Sequence, residues 1–284
     1  MSFTDIEYLR LVDDVLNKGT AKGNTVYLTN MQRLSFDLHD NRLPLITCRR
    51  VPWRNVLGEL LWMISGSTNA IELSETYGVN VWKANTTREA LDARHLTHYE
   101  VGELGPSYGY MLRGRPFKHH LSRRDQLQDC IDSIIATPQS RRHTIALSDP
   151  ELESQCALPA CVDRLMFDVD DEGRLSCNVL QRSADLALGV PHNIAVYSLL
   201  THMIAAQTRT TATRITFCYA NVHIYYDHVA DMRRLYGHGR HMEPIEVPNH
   251  SSHGFVCDCL PKWIRRHRPD EPTVSLEDVK SIDD

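Results

Sequence analysis

The chain has 284 residues, 42% of them hydrophobic and 24% charged, with a formal net charge of −5. These values suit a soluble globular protein with a substantial core, and they argue against nucleic acid as the main partner; the basic run Arg265-Arg266-His267-Arg268 reads as a solvated turn. The eight cysteines are scattered without a paired framework and the first nineteen residues are amphipathic and acidic rather than leader-like, so reduced thiols in a cytoplasmic protein are expected.

In chain order, 4–17 reads as a helix that Ser2 or Thr4 can cap, with Ile6, Leu9, Val12 and Leu16 on one face and Gly19 as its stop. Residues 27–38 alternate weakly and predict one or two strands. Pro52 opens a second helix through 53–64, ended by Gly66, whose apolar set is broad enough for burial on most sides. Glu59 lies within it. On pattern alone that carboxylate is either a buried acid–base group or an exposed residue on a polar stripe. Segments 74–82 and 83–91 are less clearly patterned, and Gly105-Pro106 is a turn signal before Tyr108. Leu127, Cys130, Ile131 and Ile134 make 125–135 a helix ended by Pro138; Arg141-Arg142 then leads a strand, 143–147.

The Pro-containing turn Leu158-Pro159-Ala160 delivers Cys161 to the start of a strand, 162–169. Asp170-Asp171-Glu172-Gly173 turns the chain into a second strand, 174–181, which brings Arg182 and Ser183 back beside Cys161. An arginine near a thiol favours the nucleophilic thiolate and is itself a phosphate ligand. After the turn Gly189-Val190-Pro191, 193–207 predicts a long buried helix, interrupted by His202 and too short to cross a bilayer. A strand follows at 213–220, and 221–225 reads as running on into a helix through Leu235. His250, His253, Cys257 and Cys259 are of the right types for zinc, but the C-x-C spacing is tight and an ordinary loop with buried thiols is the expectation; no metal is assigned. With no repeat, linker or low-complexity tract, 1–284 reads as one compact domain whose segment from about 245 is the least readable part.

The motifs Gly58-Glu59-Leu60-Leu61-Trp62, Trp82-Lys83-Ala84-Asn85, Leu104-Gly105-Pro106-Ser107-Tyr108-Gly109, the Ala157–Cys161 turn and the run from Gln181 through Asn193 together resemble the thymidylate synthase family and its pyrimidine hydroxymethylase branch. The resemblance implies an α/β fold with a large twisted mixed sheet, helices on one side, and sheets packed back to back in a homodimer. It implies 5,10-methylenetetrahydrofolate as cofactor and a pyrimidine deoxynucleoside monophosphate as substrate, with neither membrane nor obligate nucleic acid as partner. Cys161 would be the nucleophile that adds to carbon 6 of the ring, making carbon 5 able to attack a one-carbon unit. Arg182 would bind phosphate and lower the thiol pKa, helped by Ser183 and by Arg141 and Arg142 of the partner chain. Glu59 would run the proton relay through water, Tyr108 would help remove the carbon 5 proton, and Asn193 would pair with the base edge. Gln181, Asp185, His223 and Tyr225 complete the expected substrate site, the last two on the sugar 3′-hydroxyl. Trp82, Asp185 and Gly189 would meet the folate.

The chain also departs from the family pattern. Thr20 to Thr25 stands where a phosphate loop is usual, Val162 replaces a histidine, His192 replaces a phenylalanine, and Ser148-Asp149 replaces Trp-Asn. An apolar closing tail is replaced by the acidic run ending Ile282-Asp283-Asp284. Since a closing lid excludes water, the acidic end suits hydroxymethylation. Asn193 suits uracil over cytosine. The expected reaction is therefore hydroxymethylation of dUMP, with thymidylate synthesis or action on dCMP as alternatives. A non-enzymatic nucleotide- or RNA-binding relative is disfavoured by the retained Cys161, Glu59, Arg182 and Asn193.

Overall fold

The computed structural model describes residues 2–114 and 124–239. The histidine and cysteine cluster at His250, His253, Cys257 and Cys259, the run Arg265-Arg266-His267-Arg268 and the acidic end lie outside these residues.

Helix α1 (Phe3–Lys18) starts at a reciprocal cap: the Asp5 N–H donates to Ser2 Oγ, and the Ser2 N–H donates to the Asp5 carboxylate. Its buried face is Tyr8, Leu9, Leu11, Val12 and Val15; Ile6, expected on that face, is exposed. Three strands follow, β1 (Thr20–Lys22), β2 (Thr25–Leu28) and β3 (Gln32–Asp37). Helix α2 (Trp53–Ser65) is buried from Val56 to Ser65 and ends on Gly66 at φ 80, a left-handed position that favours glycine. Short helices α3 (Ala70–Tyr77), α4 (Arg88–Ala93) and α5 (Tyr108–Arg113) precede α6 (Gln126–Ala136). Then come β4 (Thr144–Ala146), β5 (Val162–Val169), β6 (Arg174–Gln181), the two-residue β7 (Ala184–Asp185) and α7 (Gly189–Thr208), followed by β8 (Thr211–Tyr219), β9 (Val222–Tyr225) and α8 (Tyr226–Gly239).

Of the boundaries that differ from expectation, two have direct physical reasons. Helix α7 starts at Gly189, because Pro191 sits in the first turn, where a missing N–H costs nothing. Residues 222–225 form a strand rather than the start of a helix, since β2 and β7 flank them and supply ladder partners on both sides.

The fold is mixed α/β, as expected. The strands form a five-stranded sheet, β3-β8-β6-β5-β4, and a four-stranded sheet, β1-β2-β9-β7. Within them β6–β8 and β7–β9 are parallel and the other pairs antiparallel. The two sheets meet at one joint, where the Ala220 N–H donates to Gln181 O at 2.9 Å and the Ala184 N–H to Asn221 O at 2.8 Å. One expected large sheet is thus stepped into two where Arg182 and Ser183 leave the ladder.

On the five-stranded sheet, Leu34, Phe36, Leu165, Phe167, Val179, Ile215 and Phe217 are buried. Helix α7 packs over β6 and β8, and α2 packs on α7. Each large apolar side chain so buried contributes about 1.5–3 kcal/mol. The opposite face carries Arg33, Arg164, Asp168 and Arg214 exposed. No helix among the described residues is long and apolar enough to cross a membrane.

Candidate active site

Cys161 stands at the step between the sheets. Its carbonyl accepts the Arg182 N–H at 2.9 Å, the bond that closes the end of the β5–β6 hairpin. Its own N–H donates to the Tyr108 hydroxyl at 2.9 Å. The Arg182 guanidinium fastens the turn before it, Nε donating to Ala160 O at 2.8 Å and a terminal nitrogen to Pro159 O at 3.0 Å. The hairpin therefore holds the thiol half-buried with a cation beside it.

Arg182 pulls the Cys161 pKa down, yet the net shift is upward. Burial raises it and outweighs the Arg182 charge and the Ser183 hydrogen bond, while Asp185 adds to the rise. The arginine acts in the expected direction but does not win. Thiols farther from the step, Cys130 and Cys177, are pushed up to about 12, chiefly by burial.

Tyr108 opens α5 and is buried at 6% exposure. Burial, and the neighbouring Cys161 and Glu59, keep its phenol protonated. Its ring lies 5.8 Å from that of Trp82. The Trp82 indole N–H donates to Glu59 Oε1 at 2.9 Å. Glu59 is itself buried at 6% exposure, so it does not sit on an exposed polar stripe. Its Oε2 is bonded to His192 Nε2. From α7 the Asn193 amide donates to Gln181 Oε1 at 3.3 Å, and the Gln181 amide donates to Ser183 O at 2.7 Å. A run of contacts thus joins α2, α5, α7 and the hairpin.

Asp185 on β7 is level with His223 on β9, and Tyr225 lies two residues further on the same strand face. Asp185 Oδ1 accepts the Ala187 N–H at 2.9 Å. His223 Nδ1 meets Asn221 Oδ1 at 2.9 Å, and the His223 and Tyr225 rings meet edge to face at 5.2 Å. Burial, Asp185 and Cys161 all raise the Tyr225 phenol. Gly189 opens α7; among the described residues, a Cβ added there would meet Asp185 Cβ at 3.9 Å and nothing nearer.

Arg141 and Arg142 are not brought to this site within the chain. The ladder sets Ala146 opposite Arg164, and the Phe167 N–H donates to His143 O, so both arginines pass the far end of β5. At about 3.3 Å per residue they are roughly 20 Å along the strand from Cys161. Both are exposed. Among the described residues no group of three His, Cys, Asp or Glu is placed to hold a metal ion.

Two site residues were not assigned roles from the sequence. Tyr197 on α7 is buried, its phenol raised far up by burial and by Tyr108, Glu59 and Cys161. Its only sequence signal was a place on an all-buried helix. The bond from His192 to Glu59 had a signal, the imidazole in place of phenylalanine, but not a partner.

A thymidylate synthase family model matches residues 6–249. A bifunctional dihydrofolate reductase-thymidylate synthase of Zea mays is 39% identical over 243 residues, spanning 79% of this chain and 45% of the relative. A probable thymidylate synthase of Schizosaccharomyces pombe is 39% identical over 241 residues, spanning 78% and 38%. A Leishmania major bifunctional dihydrofolate reductase-thymidylate synthase is 37% identical over 236 residues, spanning 78% and 45%. The chain spans less than half the length of these curated relatives.

Proposed function

This chain belongs to the thymidylate synthase family, and on that premise we propose that it methylates carbon 5 of dUMP with 5,10-methylenetetrahydrofolate as the one-carbon donor. The relatives are named for thymidylate synthesis rather than hydroxymethylation, which favours the methyl-forming alternative over the hydroxymethyl reading. The acidic end that suggested the wetter route lies outside the described residues.

The residues present fit the folate. Trp82 offers a half-buried ring, Leu188 is 55% exposed beside Gly189, and Asp185 has a second carboxylate oxygen for a ring amine. When bound, the folate supplies both the carbon and the hydride that reduces it. Arg182 and Ser183 anchor the nucleotide phosphate. Asn193, with one N–H on Gln181, keeps an amide oxygen and a second N–H for the uracil N3–H and O4. His223 and Tyr225 take the sugar hydroxyl.

The Cys161 thiolate adds to carbon 6, and the displaced electron pair moves through carbon 5 to O4, which takes a proton from the Glu59 water relay. Carbon 5 bonds the one-carbon unit, and its proton leaves on the Tyr108 side. Because that phenol stays protonated, Tyr108 bridges to a water rather than acting as the base itself. With the carbon released from the folate nitrogen and the folate's hydride completing the methyl group, expulsion of the Cys161 thiolate would restore the ring. In this reading 1–284 is one catalytic domain, and Arg141 and Arg142 serve the phosphate site of a second copy.

The observation that carries the reading is the run Cys161–Tyr108–Trp82–Glu59. It brings a nucleophile, a phenol, an aromatic platform and a buried acid from four segments to one place. The test is product mass spectrometry from dUMP and from dCMP with methylenetetrahydrofolate, with absorbance tracking dihydrofolate. A methyl product from dUMP with equimolar dihydrofolate is expected. Hydroxymethyl product without dihydrofolate would return the hydroxymethylase reading, and no product from either nucleotide would end both.

A further inference from the structure

Two departures from the family pattern involve an imidazole. An imidazole is lost after the nucleophile, where Val162 stands, and one is gained before Asn193, at His192. Val162 is fully buried and its side chain offers no polar atom. The His192 side chain is 19% exposed, and its Nε2 is bonded to Glu59 Oε2 across 133 residues of sequence. The other Glu59 oxygen is held by the Trp82 indole N–H.

A carboxyl held at one oxygen can still turn about its terminal torsion, which is broad for an sp²-terminated side chain. Held at both oxygens, from the Trp82 segment and from α7, it has one plane and one position. We propose that His192 is a positioning residue that fixes Glu59 for proton transfer. With His192 as the Nε2–H tautomer, when Glu59 passes its proton to the relay water the indole N–H and the imidazole N–H remain on the two oxygens and stabilise the charge left behind. The same carboxylate takes the proton back when the ring oxygen releases it, so no other group need be the proton source. His192 is thereby committed to Glu59 through Nε2 and leaves base reading to Asn193.

The kinetic arm of the test rests on the dUMP reaction proposed above. His192→Phe restores the residue usual in the family, so the fold is expected to accept it. Its kcat should fall roughly tenfold or more, while the KM for dUMP stays within about twofold. His192→Gln, whose amide can donate to Glu59, should recover most of that loss. In a Glu59→Gln background, His192→Phe should change residual single-turnover activity by less than about twofold, because the two residues act as one unit. An unchanged kcat in His192→Phe, a loss confined to KM, or a full additional loss in the Glu59→Gln background would each overturn the proposal. If the wild-type chain fails to turn over dUMP, the function proposed above falls, and the pairing is read separately from imidazole ¹⁵N resonances of the free protein. Movement of the His192 resonances on Glu59→Gln sustains it; unmoved resonances remove it.

Discussion

At the scale of single residues, the site is a contest between burial and charge around one sulfur. Burial keeps the Cys161 thiol above its ordinary range, and the Arg182 charge with the Ser183 hydroxyl pulls against it. A raised thiol pKa means less thiolate at neutral pH. Iodoacetamide labelling of Cys161 in the nucleotide-free chain, followed by peptide mass spectrometry, is therefore expected to be slow at pH 7. It should accelerate only as pH rises past the ordinary thiol value of about 8.5. Arg182→Ala removes the opposing positive charge, so the rise should move to still higher pH. An unchanged profile would show that the sulfur does not feel the arginine. Cys161 and Arg182 were legible as a pair because the hairpin between them is local. The outcome of the contest was not, because it depends on helices that pack over the thiol from elsewhere in the chain.

At the scale of elements, Tyr108 depends on how closely α5 approaches α2. A Cβ at Gly109 would lie 2.1 Å from Ser67 O and 3.0 Å from Gly66 C, both backbone atoms that cannot turn aside. Glycine after Tyr108 lets the two backbones meet and sets the phenol under Cys161. Gly109→Ala should cost about 1–3 kcal/mol through overpacking. That corresponds to a fall in Tm of roughly 3–10 °C by thermal unfolding, with kcat reduced through displaced Tyr108. A variant with wild-type Tm and kcat would mean that the contact relaxes at no cost. The Gly-Pro signal pointed to a turn here, but helix α5 itself was not read, since six residues are too few to display a 3.6 period.

At the scale of the whole molecule, the register of β4 on β5 separates Arg141 and Arg142 from Cys161 of the same chain. If the pair completes the phosphate site of a second copy, mixing two defective chains should restore activity. In a mixed dimer, the Cys161→Ala chain lends its arginines to the intact thiol of the Arg141→Ala chain. Random exchange makes half the dimers mixed with one intact site each, so up to about a quarter of wild-type activity is expected. No recovery, with exchange of chains shown by mass spectrometry, would end the shared-site reading.

The sequence by itself determined the hairpin. Strands 162–169 and 174–181 alternate, the turn between them is polar with Gly173 at φ 73, and both strands form with the expected bounds. Cys161, Gln181, Arg182 and Ser183 follow from that local pairing. Tertiary structure decided the rest. The apolar stretch 222–225 is too short to declare its period, and it became a strand only because β2 and β7 lay on either side. Glu59 was ambiguous until α7 and Trp82 enclosed it. His192 acquired its partner across 133 residues, a separation at which no local pattern carries information. Periodicity records which way a side chain faces along its own element; which group it then meets, and how much water is left around it, depends on the packing of the others.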